Sequence, residues 1–259
     1  MSNKYSLVLW WWAARGFAHI GVIKHLEEQK IEIDEVVWTS MGSLIAACVA
    51  FWYTTQDMKK ITEDTNFLKF LDFSMWGGIL KWNQMYKRLE DIFGNKKIED
   101  LPKKLKIIAT NIENWEKKVF TNWYIKDAIR ASISLPWIIA PHTINNEKFV
   151  DGGLISNLAV EEAENPDIIA VSIIKNIKKE DINYKPSWLF GKGRSSKLKI
   201  LQKSIQIMIK ENENHSLKQT DKNIIFLSPS FDNIEYYDFW KYKEIINKGY
   251  NYAREKNIL

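Results

Sequence analysis

Two short apolar strands, each running through a sharp turn into an apolar helix, occupy the first fifty residues and leave few folds open. Leu7-Val8-Leu9 reads as a buried strand, and residues 17–29, with Ile20, Ile23 and Leu26 recurring at helical spacing, as the helix after it. Val36-Val37 reads as a second strand with Ser40 at its end, and residues 42–51 are apolar enough for a central buried helix. Both turns carry tryptophan where a tight strand-to-helix turn uses glycine: Trp10-Trp11-Trp12-Ala13-Ala14-Arg15-Gly16 in the first and Trp38-Thr39-Ser40-Met41-Gly42 in the second.

With glycine at those four tryptophans the first run becomes G-G-G-A-A-R-G, a glycine-rich anion-binding turn at a helix N-terminus, and the second becomes G-T-S-M-G, a nucleophile elbow. So restored, the chain resembles the bacterial patatin-like phospholipases. The resemblance covers roughly residues 5–175 in matching order. It takes in Asp151-Gly152-Gly153, the stretch Asp127-Ala128-Ile129-Arg130-Ala131-Ser132-Ile133-Ser134-Leu135-Pro136, and Ala109-Thr110-Asn111 ahead of a turn at Asn114-Trp115-Glu116. The family pattern also has glycine where Trp115 and Trp137 stand, and Trp52, Trp76, Trp82 and Trp123 look like the same exchange. Asn157-Leu158-Ala159 departs from the pattern, with alanine where proline is usual.

Twelve Trp against eleven Gly leave glycine well under its usual share of about 7%, and Lys far outnumbers Arg, the trace of an AT-rich genome. The reading this supports is a bacterial gene in which UGA encodes glycine, translated with a table that makes it tryptophan. Two other readings stay open: genuine aromatics forming a membrane-facing or ligand-stacking surface, and an engineered set of substitutions.

The resemblance implies a three-layer α/β/α domain with a mostly parallel central sheet. At 259 residues the expectation is a single domain over 5–259, with the helices at 57–64 and 83–93 inside a helical cap at 54–104 and a mobile loop at 178–199 rich in Lys, Gly, Ser and Pro. Further strands are expected at 105–110, 118–120, 149–150, 168–174 and 224–227, and helices at 125–133, 198–210 and 239–256. A net charge of +5 favours approach to an anionic membrane, and the scattered lysines form no nucleic-acid motif. Cys48 excludes an internal disulfide and suits a reducing cytoplasm, and the longest apolar run, 44–53, is far too short to span a bilayer. A cytoplasmic protein that meets the membrane peripherally is expected.

A serine hydroxyl needs a base to accept its proton, and Asp151, after a strand and before two glycines, is the best candidate. The resemblance implies a Ser40–Asp151 dyad acting on phospholipid or other lipid acyl esters, without metal or cofactor. It gives Trp11, Trp12 and Ala13 as the positions whose backbone N–H groups face the oxyanion, Arg15 and Gly16 as the rest of that loop, and Trp38, Gly42, Gly152 and Gly153 as support for elbow and dyad. Trp cannot easily replace Gly there, so the chain as written is expected to be inactive or weakly active. Ser40, Asp151 and His215 keep the chain order of an α/β-hydrolase triad, the enzymatic alternative. If the tryptophans are genuine, a non-catalytic lipid or protein binder is the other. His19, His25, His142 and His215 show no metal-ligand spacing.

Overall fold

The computed structural model describes residues 4–11, 13–65, 83–136, 139–173, 193–231, 234, 235 and 238–258. Its centre is a sheet of eight strands: β1 (Lys4–Trp11), β2 (Glu32–Thr39), β3 (Lys104–Asn111), β4 (Lys117–Phe120), β5 (His142–Ile144), β6 (Glu147–Asp151), β7 (Asp167–Ile173) and β8 (Asn223–Leu227). β1 pairs in parallel with β2 and β7, β2 with β3, and β7 with β8, whereas β4 and β6 run antiparallel to β3, and β5 antiparallel to β6. The helices are α1 (Ala18–Glu28), α2 (Ser43–Ala50), α3 (Thr55–Asp64), α4 (Asn83–Phe93), α5 (Ile125–Ser132), α6 (Gly193–Lys218) and α7 (Tyr242–Glu255).

Alternation along β1 separates two cores. Leu7 and Leu9 join the larger core with α1, α2, α5 and α7, while Val8 and Trp10 join Leu158, Val160 and Ile209 of α6 on the other face. The expected three layers, helices on both faces of a mostly parallel sheet, are therefore present.

Local chemistry explains several boundaries. Thr54 and Asp57 form a reciprocal capping box that starts α3. α1 and α7 cross where each has a glycine: a Cβ on Gly21 would lie 2.0 Å from the Ile246 carbonyl oxygen, and one on Gly249 2.1 Å from that of Ala18. β5 has no counterpart in the sequence reading. Its three residues are too few to show a period. The loop expected at 178–199 is corrected in its last part, because α6 already begins at Gly193 and runs through the straight-chain Lys197, Leu198 and Lys199. Residues 178–192 of that loop and 66–82 of the expected cap lie outside the described residues.

Candidate active site

Register on β3 brings Ser40 and Asp151 together. Ile107 and Ile108 pair with both β2 and β4, and Ala109 and Thr110 with both β4 and β6, so β2 and β6 share one edge of β3, end to end. Thr39 closes β2 opposite Ile108, and Asp151 closes β6 opposite Ala109. The next residue of β2's chain, Ser40, thus meets Asp151 across the junction, and its Oγ donates a 2.5 Å hydrogen bond to Asp151 Oδ2.

Ser40 adopts φ +68°, a left-handed conformation that costs a non-glycine residue about 1–3 kcal/mol and survives only where its surroundings enforce it. Its N–H donates to Ser132 Oγ (2.8 Å), and the Ser132 hydroxyl donates in turn to the Ile108 carbonyl (2.6 Å). The Ser40 carbonyl accepts from Ser43 Oγ (2.8 Å), in the first turn of α2. Gly152 closes over the same Ile108 carbonyl, which a Cβ there would approach to 2.4 Å. One β3 carbonyl therefore locates both halves of the pair. Ser132 lies in the 127–136 stretch that carries part of the family resemblance, yet nothing in its spacing marks it.

Asp151 is buried; its Oδ1 accepts the Gly153 N–H (2.8 Å), and its own N–H donates to the Ser134 carbonyl (3.0 Å). Burial raises its pKa to about 6 against the opposing hydrogen bonds from Ser40 and Gly153. A carboxylate tuned there is ionised at neutral pH and still basic enough to take a proton. Among the described hydrogen bonds, neither Ser40 nor Asp151 is touched by a histidine. His215 is exposed near the end of α6. His19 is fully buried, edge-on to Trp38 with centroids 5.2 Å apart, and burial lowers its pKa to about 3 against a hydrogen bond with the Trp10 backbone. It is a neutral packing residue.

Residues 13–164 match the Patatin family, patatin-like phospholipases. The chain belongs to this family. Lysophospholipase NTE1 of the yeast Meyerozyma guilliermondii is 29% identical over 279 residues, an alignment that spans 98% of this chain and 19% of that one. An uncharacterized NTE family protein of Mycobacterium tuberculosis is 34% identical over 179 residues, 66% of this chain and 49% of its own. The chain thus spans half or less of the length of these relatives. VipD from Legionella pneumophila superposes over 98% of this chain and 66% of its own with a TM-score of 0.61 at 14% identity, a likeness of fold.

Trp10 and Trp38, in the two strand-to-helix connections, are both buried. Trp38 is fully buried with its indole against Gly42, where a Cβ would fall 1.3 Å from Trp38 Cε2. The Trp10 indole N–H is buried near Gly153 without an acceptor among the described residues. Trp11 ends β1, Ala13 opens the 3-10 turn Ala13–Phe17, and Trp12 between them lies outside the described residues, as does Trp137. Arg15 is buried, and its guanidinium donates to the Ile234 carbonyl (Nε–O 2.7 Å), so it ties down the turn that also holds Gly16. Trp52, Trp115 and Trp123 have φ of +65°, +64° and +116°.

Proposed function

We propose that this chain is a serine lipid acyl hydrolase working through a Ser40–Asp151 dyad. The observation that carries the reading is the 2.5 Å bond from Ser40 Oγ to a buried Asp151 whose pKa is raised to about 6. Ser40 Oγ attacks the ester carbonyl carbon as its proton passes to Asp151. Asp151 then gives that proton to the leaving alkoxide as the C–O bond breaks, which leaves an acyl-Ser40. Water attacks next, losing a proton to Asp151; the acid departs and Ser40 recovers its proton. Backbone N–H groups of positions 11–13, at the start of the turn, hold the oxyanion in both steps, and a single such donor contributes about 3–4 kcal/mol in the transition state. The name of the fungal relatives, lysophospholipase, favours a lysophospholipid among lipid acyl esters. A bacterial, cytoplasmic and membrane-peripheral setting remains part of this reading. Among the described residues no helix is long and apolar enough to cross a membrane.

The working enzyme, in this reading, carries glycine at Trp10, Trp11, Trp12, Trp38, Trp115 and Trp137. The positive φ of Trp52, Trp115 and Trp123, all singled out by sequence as glycine positions, supports it. Two measurements test the proposal together. UGA codons in the gene and glycine-containing peptides from the native protein are expected at these positions. The glycine-restored chain should hydrolyse a p-nitrophenyl acyl ester, with loss of activity in Ser40→Ala and in Asp151→Asn. UGG codons with no labelling of Ser40 by a fluorophosphonate would instead favour a non-catalytic binder. Loss of activity in His215→Ala would favour the triad.

A further inference from the structure

Arg130, in the last turn of α5, is 8% exposed, and among the described residues its guanidinium meets no carboxylate. Its Nη1 donates to Ser134 Oγ (2.6 Å) and its Nη2 to the Ala140 carbonyl (3.0 Å). Such a charge is costly to bury and is always present, since arginine does not lose its proton in proteins. The Ser134 hydroxyl returns a bond to the Arg130 carbonyl (2.8 Å), so side chain and backbone of one residue hold Ser134 together. The Ser134 carbonyl in turn accepts the Asp151 N–H.

The β5–β6 hairpin shows what this clamp changes. Its two-residue turn, Asn145-Asn146 at φ +50° and +67°, makes Ile144 and Glu147 a hydrogen-bonded pair, and such pairs recur at every second residue. His142 and Phe149 are the next such pair. Extending β5 backwards by two residues would set Ala140 opposite Asp151, with the Asp151 N–H aimed at the Ala140 carbonyl. β5 instead begins at His142. Arg130 takes the Ala140 carbonyl, and the Asp151 N–H goes to Ser134. Ser134 lies two residues after Ser132, whose hydroxyl accepts the Ser40 N–H, so one short segment fixes the backbone of both Ser40 and Asp151.

We propose that Arg130 is a positioning residue for the dyad: its fork keeps Ala140 from pairing with Asp151 and so holds the base on Ser134, beside Ser40. A planar guanidinium reaches both acceptors at once, which a lysine ammonium, a point donor on a flexible stem, does not reproduce. The proposal rests on the Ser40–Asp151 reading and adds what aligns the pair.

Steady-state kinetics of the glycine-restored chain and the amide resonance of Asp151 in isotope-labelled protein test it. In Arg130→Ala kcat should fall roughly 10- to 100-fold with KM unchanged, and the Asp151 resonance should move as its N–H changes acceptor. Added methylguanidinium should restore both, and methylammonium neither. Ser134→Ala leaves the backbone carbonyl in place and removes one arm of the clamp. It is expected to lower kcat and move the same resonance, and it decides the matter if Arg130→Ala does not fold. Full activity in Arg130→Lys would make charge alone sufficient and overturn the clamp. So would an unmoved Asp151 resonance, a folded Arg130→Ala with unchanged kcat, or a loss that methylguanidinium does not relieve. If the glycine-restored chain hydrolyses no ester, the catalytic reading falls, while the Asp151 resonance still decides the role of Arg130.

Discussion

At the scale of single residues, the decisive feature is an enforced conformation. Ser40 is held at φ +68° by the Ser132 hydroxyl, which also bonds the Ile108 carbonyl. Ser132→Ala removes the acceptor of the half-buried Ser40 N–H, so the elbow should relax. In the glycine-restored enzyme we expect kcat to fall roughly 10- to 100-fold with KM little changed, and Ser132→Thr to recover most of it. Equal loss in both variants would make the position merely structural. Asp151 supplies two pH predictions. In the proposed dyad only the ionised form of Asp151 accepts the Ser40 proton, so kcat/KM should rise as pH passes through about 6 and level off above. The stability effect has the opposite sense. A carboxyl whose pKa is raised from 3.8 to about 6 on folding binds more protons folded than unfolded, so stability falls between those pH values. Asp151→Asn should therefore gain up to about 2–3 kcal/mol at neutral pH, a gain that shrinks below pH 6 and vanishes near 4, followed by urea unfolding across that range.

At the scale of elements, the glycines of the α1–α7 crossing make a sharper demand than any apolar side chain there. Gly249→Ala sets a methyl against the Ala18 backbone, which cannot swing aside, so the helices must separate. A loss of about 1–3 kcal/mol in urea unfolding is expected, against about 1 kcal/mol for removing the α3 cap with Thr54→Ala. The helices themselves were readable in the sequence: α4 and α5 follow apolar periodicity closely, and β1 and β2 follow their apolar runs. Three-residue β5 is not, and 193–199 of α6 reads as loop because lysine and serine composition masks helix propensity. The same division holds at the site. Ser40, Asp151 and the glycines after it announce themselves through turn chemistry. Ser132, the Ile108 carbonyl and the sharing of one β3 edge by β2 and β6 arise only from pairing between segments distant in sequence, which no local pattern encodes.

At the scale of the whole molecule, Trp52, Trp115 and Trp123 stand in three different connections. Trp52 follows α2 at the left-handed position of a helix end, where the Tyr53 N–H reaches back to the Cys48 carbonyl (2.9 Å) and the Trp52 N–H to that of Val49 (3.2 Å), the bonding pattern in which glycine is usual. Trp115 turns β3 into β4, and Trp123, at φ +116°, lies where residues with a Cβ are strained most. Trp52 and Trp115 leave most of their surface in water, so replacing them forfeits little burial. Each exchange to glycine relieves about 1–2 kcal/mol of backbone strain and returns a fraction of it as unfolded-chain entropy. Since the three turns share no described hydrogen bond, the gains should add, and the triple variant should be about 2–4 kcal/mol more stable than the chain as written. Trp38→Gly differs, because it empties a fully buried site and stabilises only if α2 can close over the space. Urea unfolding of the four variants separates these cases. A triple variant no more stable than the starting chain would show that the aromatics contribute packing that offsets their strain, and would return weight to the reading in which they are genuine.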